Sequence, residues 1–338
     1  MAESETSSIY LSSSPHYAIP VTTRAVMFSV VAALLPIAAY GIYLFGISAL
    51  ITIVVSVLSA VAFESLFRLI TKQENRAGDF SAVITGLMLA MVLPPAVPVW
   101  MIVLGAFFAI VVAKEFFGGL GANVFNPALS GRAFLLVSFT IPLTTWMAPR
   151  LSSVTDALSG ATPLSFIKPA EGAILSATEI ASKMGFASSA DLYWNLFLGN
   201  RAGSLGESGI FLILIAFVIL VLVKVIDWRA PLSMMATTAA VSFFAGIDPL
   251  LALLSGGLVF GAVFMTTDYA TSPVTPTGRL LFGAGCGLIT ALIRIFGGYP
   301  EGVMFSILIM NALVPFLNKI ITRKLGWVPP VKKQKEAK

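Results

Sequence analysis

Apolar residues run through this chain in long blocks, with the polar residues collected between them. Ten blocks stand out, at about 24–44, 47–70, 80–94, 97–113, 125–143, 207–226, 231–246, 248–265, 279–296 and 301–321. Most approach the roughly 20 residues that a helix needs to cross a bilayer. The pattern predicts an all-α polytopic membrane protein of about ten transmembrane helices, in two halves at 24–143 and 207–321. A polar segment, 1–23, precedes the first half and a basic tail, 322–338, follows the second. The third block, SAVITGLMLAMVLPP, is short and ends in a double proline. It reads as a half-helix or a tilted helix, which survives at membrane depth only where protein or a cavity surrounds it.

Composition supports this reading. Of 338 residues, 57% are hydrophobic and 11% charged, against about 25% charged in a soluble domain. The net charge of +5 is therefore a matter of membrane topology and not a footprint for nucleic acid. Lys and Arg concentrate in alternate connections, TKQENRAGD (71–79), KEFFGG (114–119), DWRA (227–230) and the tail KKQKEAK (332–338). The short connections around 45–47, 95–96, 247–248 and 297–301 carry none. By the positive-inside rule both termini lie in the cytoplasm. The long polar segment 144–206, between the fifth and sixth helices, then lies outside it. Its end, DLYWNLFLGNRAGSLGE (191–207), carries aromatics suited to the membrane interface. Residues 1–20 show no signal-peptide pattern. A single cysteine, Cys286, and a single histidine, His16, leave no internal disulfide, cysteine-only metal cluster or histidine-rich site; Cys286 reads as a small packing residue among glycines.

Two internal pairings suggest that the halves are repeats. FNPALSGRAFLL (125–136) resembles TSPVTPTGRLLFG (271–283), which would put the fifth and ninth helices in the same orientation. TGLMLAMVLPPAVP (85–98) pairs more weakly with SGGLVFGAVFMTTDYATSPVTP (255–276), which would be an inverted repeat. The sequence leaves both pairings open.

The chemistry concentrates in TDALSGATPL (155–164). Asp and Ser favour local side-chain bonds to the backbone, Gly160 accepts positive φ, and Pro163 turns Thr162 away from helix. This predicts a turn that presents the Thr162 hydroxyl outward, with Asp156 six residues upstream. A modifying enzyme could grip and acylate or phosphorylate such a hydroxyl; an ordinary Ser/Gly loop is the plainer alternative.

The sequence resembles the NqrB/RnfD family, the Rnf-type members in particular. In that family D-x-x-S-G-A-T is where FMN is joined through its phosphate to the threonine hydroxyl, and Asp156, Ser159, Gly160, Ala161 and Thr162 match it position by position. SSSPHYAIPVTTRAVMFSVVAALLP (12–36), ITGLMLAMVLPP (84–95), GGLGANVFNPALSGRAF (118–134) and TSPVTPTGRLLFG (271–283) also read as family segments, so the resemblance covers nearly the whole chain. The short N-terminus favours the Rnf type. The resemblance implies a cytoplasmic-membrane subunit of a complex that passes electrons between ferredoxin and NAD and moves Na⁺ or H⁺. It implies covalent FMN on Thr162, with Asp156 recognised by the flavin transferase. The implied partners are the other complex subunits, the G-type flavin subunit among them, together with that transferase and membrane lipid. Flavin transfer in the family occurs outside the cytoplasm, the side on which charge asymmetry also puts residue 162. A urea-channel-like solute channel is the rival reading, but a channel has no need of D-x-x-S-G-A-T.

Other residues carry subsidiary expectations. Asn126-Pro127, Gly131-Arg132, Ser272-Pro273 and Gly278-Arg279 stand where cytoplasmic turns enter helices. By the resemblance, Asn126, Arg132, Ser272 and Arg279 are candidates for a second, non-covalent flavin such as riboflavin; as inner-face anchors, Arg132 and Arg279 need no ligand. Glu64 and Arg68 form an i,i+4 pair. Glu64 is a candidate for an ion path, though snorkelling near the cytoplasmic end is the plainer expectation, as it is for Lys114 and Glu115. Arg294 is expected as an interface anchor or a partner for a flavin phosphate, and Asp248 as a helix N-cap before Pro249.

Overall fold

A computed structural model describes residues 22–74, 77–149, 162, 164, 166, 175–299 and 301–320. Among the described residues the protein is helical throughout, without strands. Helices α1 (Thr23–Phe45) and α2 (Ile47–Ile70) form a hairpin. Gly46 alone turns the chain between them at φ +76°, its N–H closing onto the Ile42 carbonyl. Only a residue without Cβ takes that conformation readily. The inward face of α2 carries Thr52, Ser56, Ala60, Glu64 and Arg68 at intervals of four, while Leu58, Leu66 and Leu69 face outward. Lipid is as apolar as leucine, so the helix turns its small and polar residues toward protein.

That seam receives α3 (Ser81–Val92), which is buried along nearly its whole length. The short helix expected here is present, ending where Leu93 turns extended before Pro94 and Pro95. Ser56 donates to the Gly86 carbonyl (2.7 Å) and Thr52 to the Pro95 carbonyl (3.2 Å). Next come α4 (Val99–Phe107), a π-helical turn (Phe108–Val112), α5 (Pro127–Ser138) and α6 (Thr140–Thr144). The predicted helix 125–143 is thus broken, at Phe139 (φ −136°, ψ 59°).

The segment predicted as an external loop contains α7 (Ala177–Lys183) and α8 (Ser189–Leu198). Ser176 and Glu179 close a capping box at the start of α7. Two hydrogen bonds from Ser176, first from its backbone N–H and then from its hydroxyl, hold the Glu179 carboxyl below the usual range. The two helices pack Ile180, Leu192 and Leu196 against Ile247 and Leu251 of the second half.

The second half comprises α9 (Ile210–Leu222), α10 (Arg229–Phe244), α11 (Pro249–Leu254), α12 (Leu258–Phe260) continuing as a π-turn (Gly261–Met265), α13 (Pro276–Phe296) and α14 (Val303–Ile320). The predicted span 248–265 is therefore two short helices separated at Ser255–Gly257. Four helical stretches among the described residues are long and apolar enough to cross a membrane: Thr23–Phe45, Ile47–Ile70, Val99–Phe117 and Pro276–Phe296. The other predicted spans are shorter or broken.

The segments paired as 125–136 and 271–283 share a local geometry. Asn126 caps α5 through its side chain with Pro127 at the next position, and Thr275 caps α13 with Pro276 next. A π-turn precedes each. Asn311 on α14 joins the two approaches, accepting from the Asn126 N–H (3.2 Å) and donating to the Thr271 carbonyl (2.9 Å).

Helices α10 and α13 meet across glycines. A Cβ on Gly283 would lie 2.3 Å from the Ala230 carbonyl oxygen, and one on Gly287 2.4 Å from that of Met234. At Gly285 it would meet only the flexible Met310 thioether. Gly283→Ala and Gly287→Ala are expected to destabilise by about 1–3 kcal/mol, because backbone cannot move aside. Gly285→Ala should be markedly milder in thermal unfolding of the detergent-solubilised chain.

Candidate functional site

The break at Ser255–Gly257 poses a chemical problem. The end of α11 leaves carbonyls without helical partners inside an apolar bundle, where unpaired groups are costly. Two arginines answer it. Arg294 on α13 donates to the carbonyls of Ala252 (2.6 Å) and Ser255 (3.0 Å). Arg201 donates to those of Leu254 and Gly256. Each guanidinium has a carboxylate near it, Glu301 at 3.4 Å from Arg294 and Glu207 at 4.0 Å from Arg201. Glu301 also accepts from the Gly257 N–H (3.0 Å), and Ser204 donates to Glu207 (2.7 Å).

This corrects two expectations. Arg294 is not an interface anchor but is buried, because the interrupted helix requires its donors. Nor does the segment before 207 end at the surface: residues 201–210 are buried, entering the bundle to supply Arg201, Ser204 and Glu207. Sequence reasoning missed Arg201, Glu207 and Glu301, since charges in a Gly- and Ser-rich stretch read as solvated. Only their position beside the breaks gives them a purpose. Asp248 is the expected N-cap, accepting from the N–H groups of Leu250 (2.8 Å) and Leu251 (3.1 Å). It also accepts from the Tyr193 hydroxyl, and burial followed by that bond pushes the Tyr193 phenol up to about 12.

Leu164 lies at this site. Thr162, two residues earlier, is buried, which corrects the expectation that its hydroxyl is presented outward. The physical reason is the anchoring that follows it. Buried Leu164 reaches the break: a Cβ on Gly256 would lie 2.4 Å from Leu164 Cδ1, 2.5 Å from Glu301 Oε2 and 3.1 Å from Arg294 Nη2. Phe166 packs on the small core formed by α7, α8 and α11. The motif residues Asp156, Ser159, Gly160 and Ala161 fall outside the described residues, as does His16.

A second charged cluster lies in the first half. Glu64 pairs with Lys114 (3.0 Å) and Arg68 (3.7 Å), and Arg68 with Glu115 (3.3 Å). Lys114 also donates to Ser81 (2.7 Å). All four charged side chains are at most 4% exposed. They do not snorkel. Two cations and two anions neutralise one another, which allows the cluster to be buried where a lone charge could not be.

The residues grouped for a second flavin fall in three places. Asn126 lines a largely apolar cavity with Lys114, Asn123 and Tyr269. Ser272 and Arg279 adjoin Asp227, which accepts from Arg279 at 2.7 Å. Arg132 is no inner-face anchor: it is buried and lines a small cavity with Ser204, Gly206 and Gly257. Cys286 is buried in the core, packed as expected.

Comparison with known proteins adds a family. The model of the NQR2, RnfD, RnfE family matches residues 10–326. The D subunit of a proton-translocating ferredoxin:NAD(+) oxidoreductase complex from Clostridium ljungdahlii is 41% identical over 316 residues, covering 91% of this chain and 93% of the relative. Its counterpart in a Na(+)-translocating ferredoxin:NAD(+) oxidoreductase complex from Acetobacterium woodii is 38% identical over 97% of this chain and 98% of its own length. The D subunit of an ion-translocating oxidoreductase complex from Methanosarcina acetivorans is 33% identical over 95% and 98%.

The buried Glu64–Lys114 pair yields a measurable coupling. Glu64→Gln and Lys114→Met each leave a charge buried with a partner missing, and each is expected to cost about 3–5 kcal/mol. The double variant should lose clearly less than the sum. Strictly additive losses in denaturant unfolding would show that the two charges do not act as a pair.

Proposed function

The chain belongs to the NQR2, RnfD, RnfE family, and on that premise we propose that it is the D-type membrane subunit of an ion-translocating ferredoxin:NAD oxidoreductase complex, carrying FMN on Thr162 through a phosphoester. The observation that carries the flavin reading is the five-position match of Asp156, Ser159, Gly160, Ala161 and Thr162. The helix break that Leu164 reaches, two residues after Thr162, suits a phosphate. Buried Nε atoms of Arg201 and Arg294 and the Ser255 hydroxyl have no hydrogen-bond partner, and buried donors without partners favour an anion that can accept from them. Bound there, FMN supplies one- and two-electron transfer. The chain's own part is to fix the carrier's position: the tether replaces a free-binding equilibrium by a permanent local concentration, Leu164 seats the segment at Gly256, and the apolar bundle limits water. In this reading Asp156 serves the transferase.

The chain contains neither a Gly-rich strand–helix dinucleotide motif nor a ferredoxin-type cysteine run. The NAD and ferredoxin sites accordingly fall to partner subunits, and a G-type flavin subunit is the proposed exchange partner for electrons. The basic connections at 71–79, 114–119 and 227–230 support a cytoplasmic-membrane orientation with both termini inside and residue 162 outside, where the flavin transferase would act.

Co-expression with the flavin transferase and a denaturing gel tests the reading. The wild-type band is expected to fluoresce under ultraviolet light and the Thr162→Ala band to be dark. A dark wild-type band, with the transferase shown to be active on another substrate, overturns it.

A further inference from the structure

The two arginines at the helix break have an evident structural task, but that task does not use all the chemistry there. Their Nη atoms cap carbonyls 252, 254, 255 and 256. The Nε atoms of both and the Ser255 hydroxyl remain buried without a hydrogen bond. A third arginine stands nearby. Arg132 on α5 is 8% exposed, lines the small cavity with Ser204, Gly206 and Gly257, and acts electrostatically on Glu207. Among the described residues it has no hydrogen bond or ion pair.

Arg132, Arg201 and Arg294 face Glu207 and Glu301, and the same electrostatic neighbourhood links Arg201 to Glu207, Glu301 and Arg294. Among the described residues, three cations against two carboxylates leave one positive charge in excess. The cluster around Glu64 also holds atoms without a hydrogen bond, Arg68 Nε and Glu64 Oε1, but its two cations and two carboxylates balance; here the described cations outnumber the carboxylates. A buried charge without compensation is strongly unfavourable, and a single bound anion would complete the set. Backbone already permits close approach, since Gly206 and Gly257 line the cavity and Gly256 stands where Leu164, Glu301 and Arg294 meet.

We propose that the arginine cluster Arg132–Arg201–Arg294 at the Ser255–Gly257 break is the seat of a singly charged phosphodiester, supplied by the flavin attached at Thr162. The inference rests on the flavinylation reading above, from which it takes the source of the phosphate. The cluster itself fixes the chemistry: a phosphodiester keeps one negative charge and two free acceptor oxygens after attachment. Arg132 contributes a whole guanidinium, the form best matched to that group. Leu164, two residues after Thr162 and held at Gly256, keeps the tether beside the arginines. The seat therefore joins the phosphate to the broken helix of the second half and to α5 of the first. Loading the flavin would stiffen the bundle as well as position the carrier.

The experiment uses the full chain, produced with and without the flavin transferase, as wild type, Arg132→Gln and Arg132→Lys. Covalent flavin is read by fluorescence on a denaturing gel, and Tm is read in detergent. Flavin loading is expected to raise the wild-type Tm by a few degrees. Arg132→Gln should still fluoresce but lose the flavin-dependent rise, and Arg132→Lys should keep part of it. Inorganic phosphate should raise the Tm of Thr162→Ala but not of Thr162→Ala/Arg132→Gln. An equal flavin-dependent rise in wild type and Arg132→Gln overturns the seat while leaving flavinylation intact. So does a rise that follows added anionic phospholipid through Arg132 and is indifferent to the flavin, because it assigns the seat to a lipid phosphodiester. Should Arg132→Gln be dark, Arg132→Lys decides: recovery of fluorescence and of the rise supports the proposal, and a dark, folded Lys variant overturns it. A dark wild-type band instead removes the flavin reading itself.

Discussion

Backbone polar groups freed at helix breaks inside an apolar bundle must find partners, and the core of this protein is organised around meeting that requirement. Two breaks create the need: Leu93–Pro95 after α3 and Ser255–Gly257 after α11. One segment serves both. At the first, Leu205 donates its N–H to the Leu93 carbonyl (3.4 Å) while Thr52 covers Pro95 (3.2 Å). At the second, Arg201 covers Leu254 and Gly256. Gly206 lies between them: a Cβ there would meet the Met91 carbonyl at 2.9 Å and the Phe260 ring at 3.2 Å. The end of the inter-half connection is thus a wedge that closes the two halves on each other.

The buried charges follow from the same constraint. An arginine brought in to cap carbonyls carries a charge that must itself be compensated, and Glu207 and Glu301 arrive for that reason. In the first half the four charges around Glu64 balance one another. At the second break the described arginines, Arg132, Arg201 and Arg294, outnumber the two described carboxylates, in the neighbourhood of Leu164. The stability and the chemistry of the protein draw on one set of side chains, so a change in either is expected to register in the other.

Local symmetry adds a second tie between the halves. The capped, proline-started helices α5 and α13 each follow a π-turn, and Asn311 binds the approaches to both. A π-turn places one extra residue in the helical ladder and redirects the chain, and such turns recur at functional positions. Here they deliver Asn126 and Thr271 to a single side chain.

By itself the sequence determined the membrane-embedded all-helical class, the short α3, the capping role of Asp248, and the threonine motif. Each depends on a local signal: run length, a double proline, a cap residue before proline, or a fixed spacing. Only the tertiary structure decided the fate of the charges. Glu64 and Arg68 were legible as a pair one helical turn apart, but their burial depends on Lys114 and Glu115, some fifty residues away in sequence. Arg201 escapes sequence reading, Arg294 reads as an interface anchor or a partner for a flavin phosphate, and Arg132 as an inner-face anchor or a flavin contact, because nothing adjacent in sequence asks for their burial. For Arg201 and Arg294 the groups that ask are carbonyls freed by a break on another helix. Leu164, two residues after the buried Thr162, is held at that same distant break beside Gly256. Hydrophobic run length is a property of a segment, whereas satisfaction of a buried polar group is a property of whatever the fold sets against it.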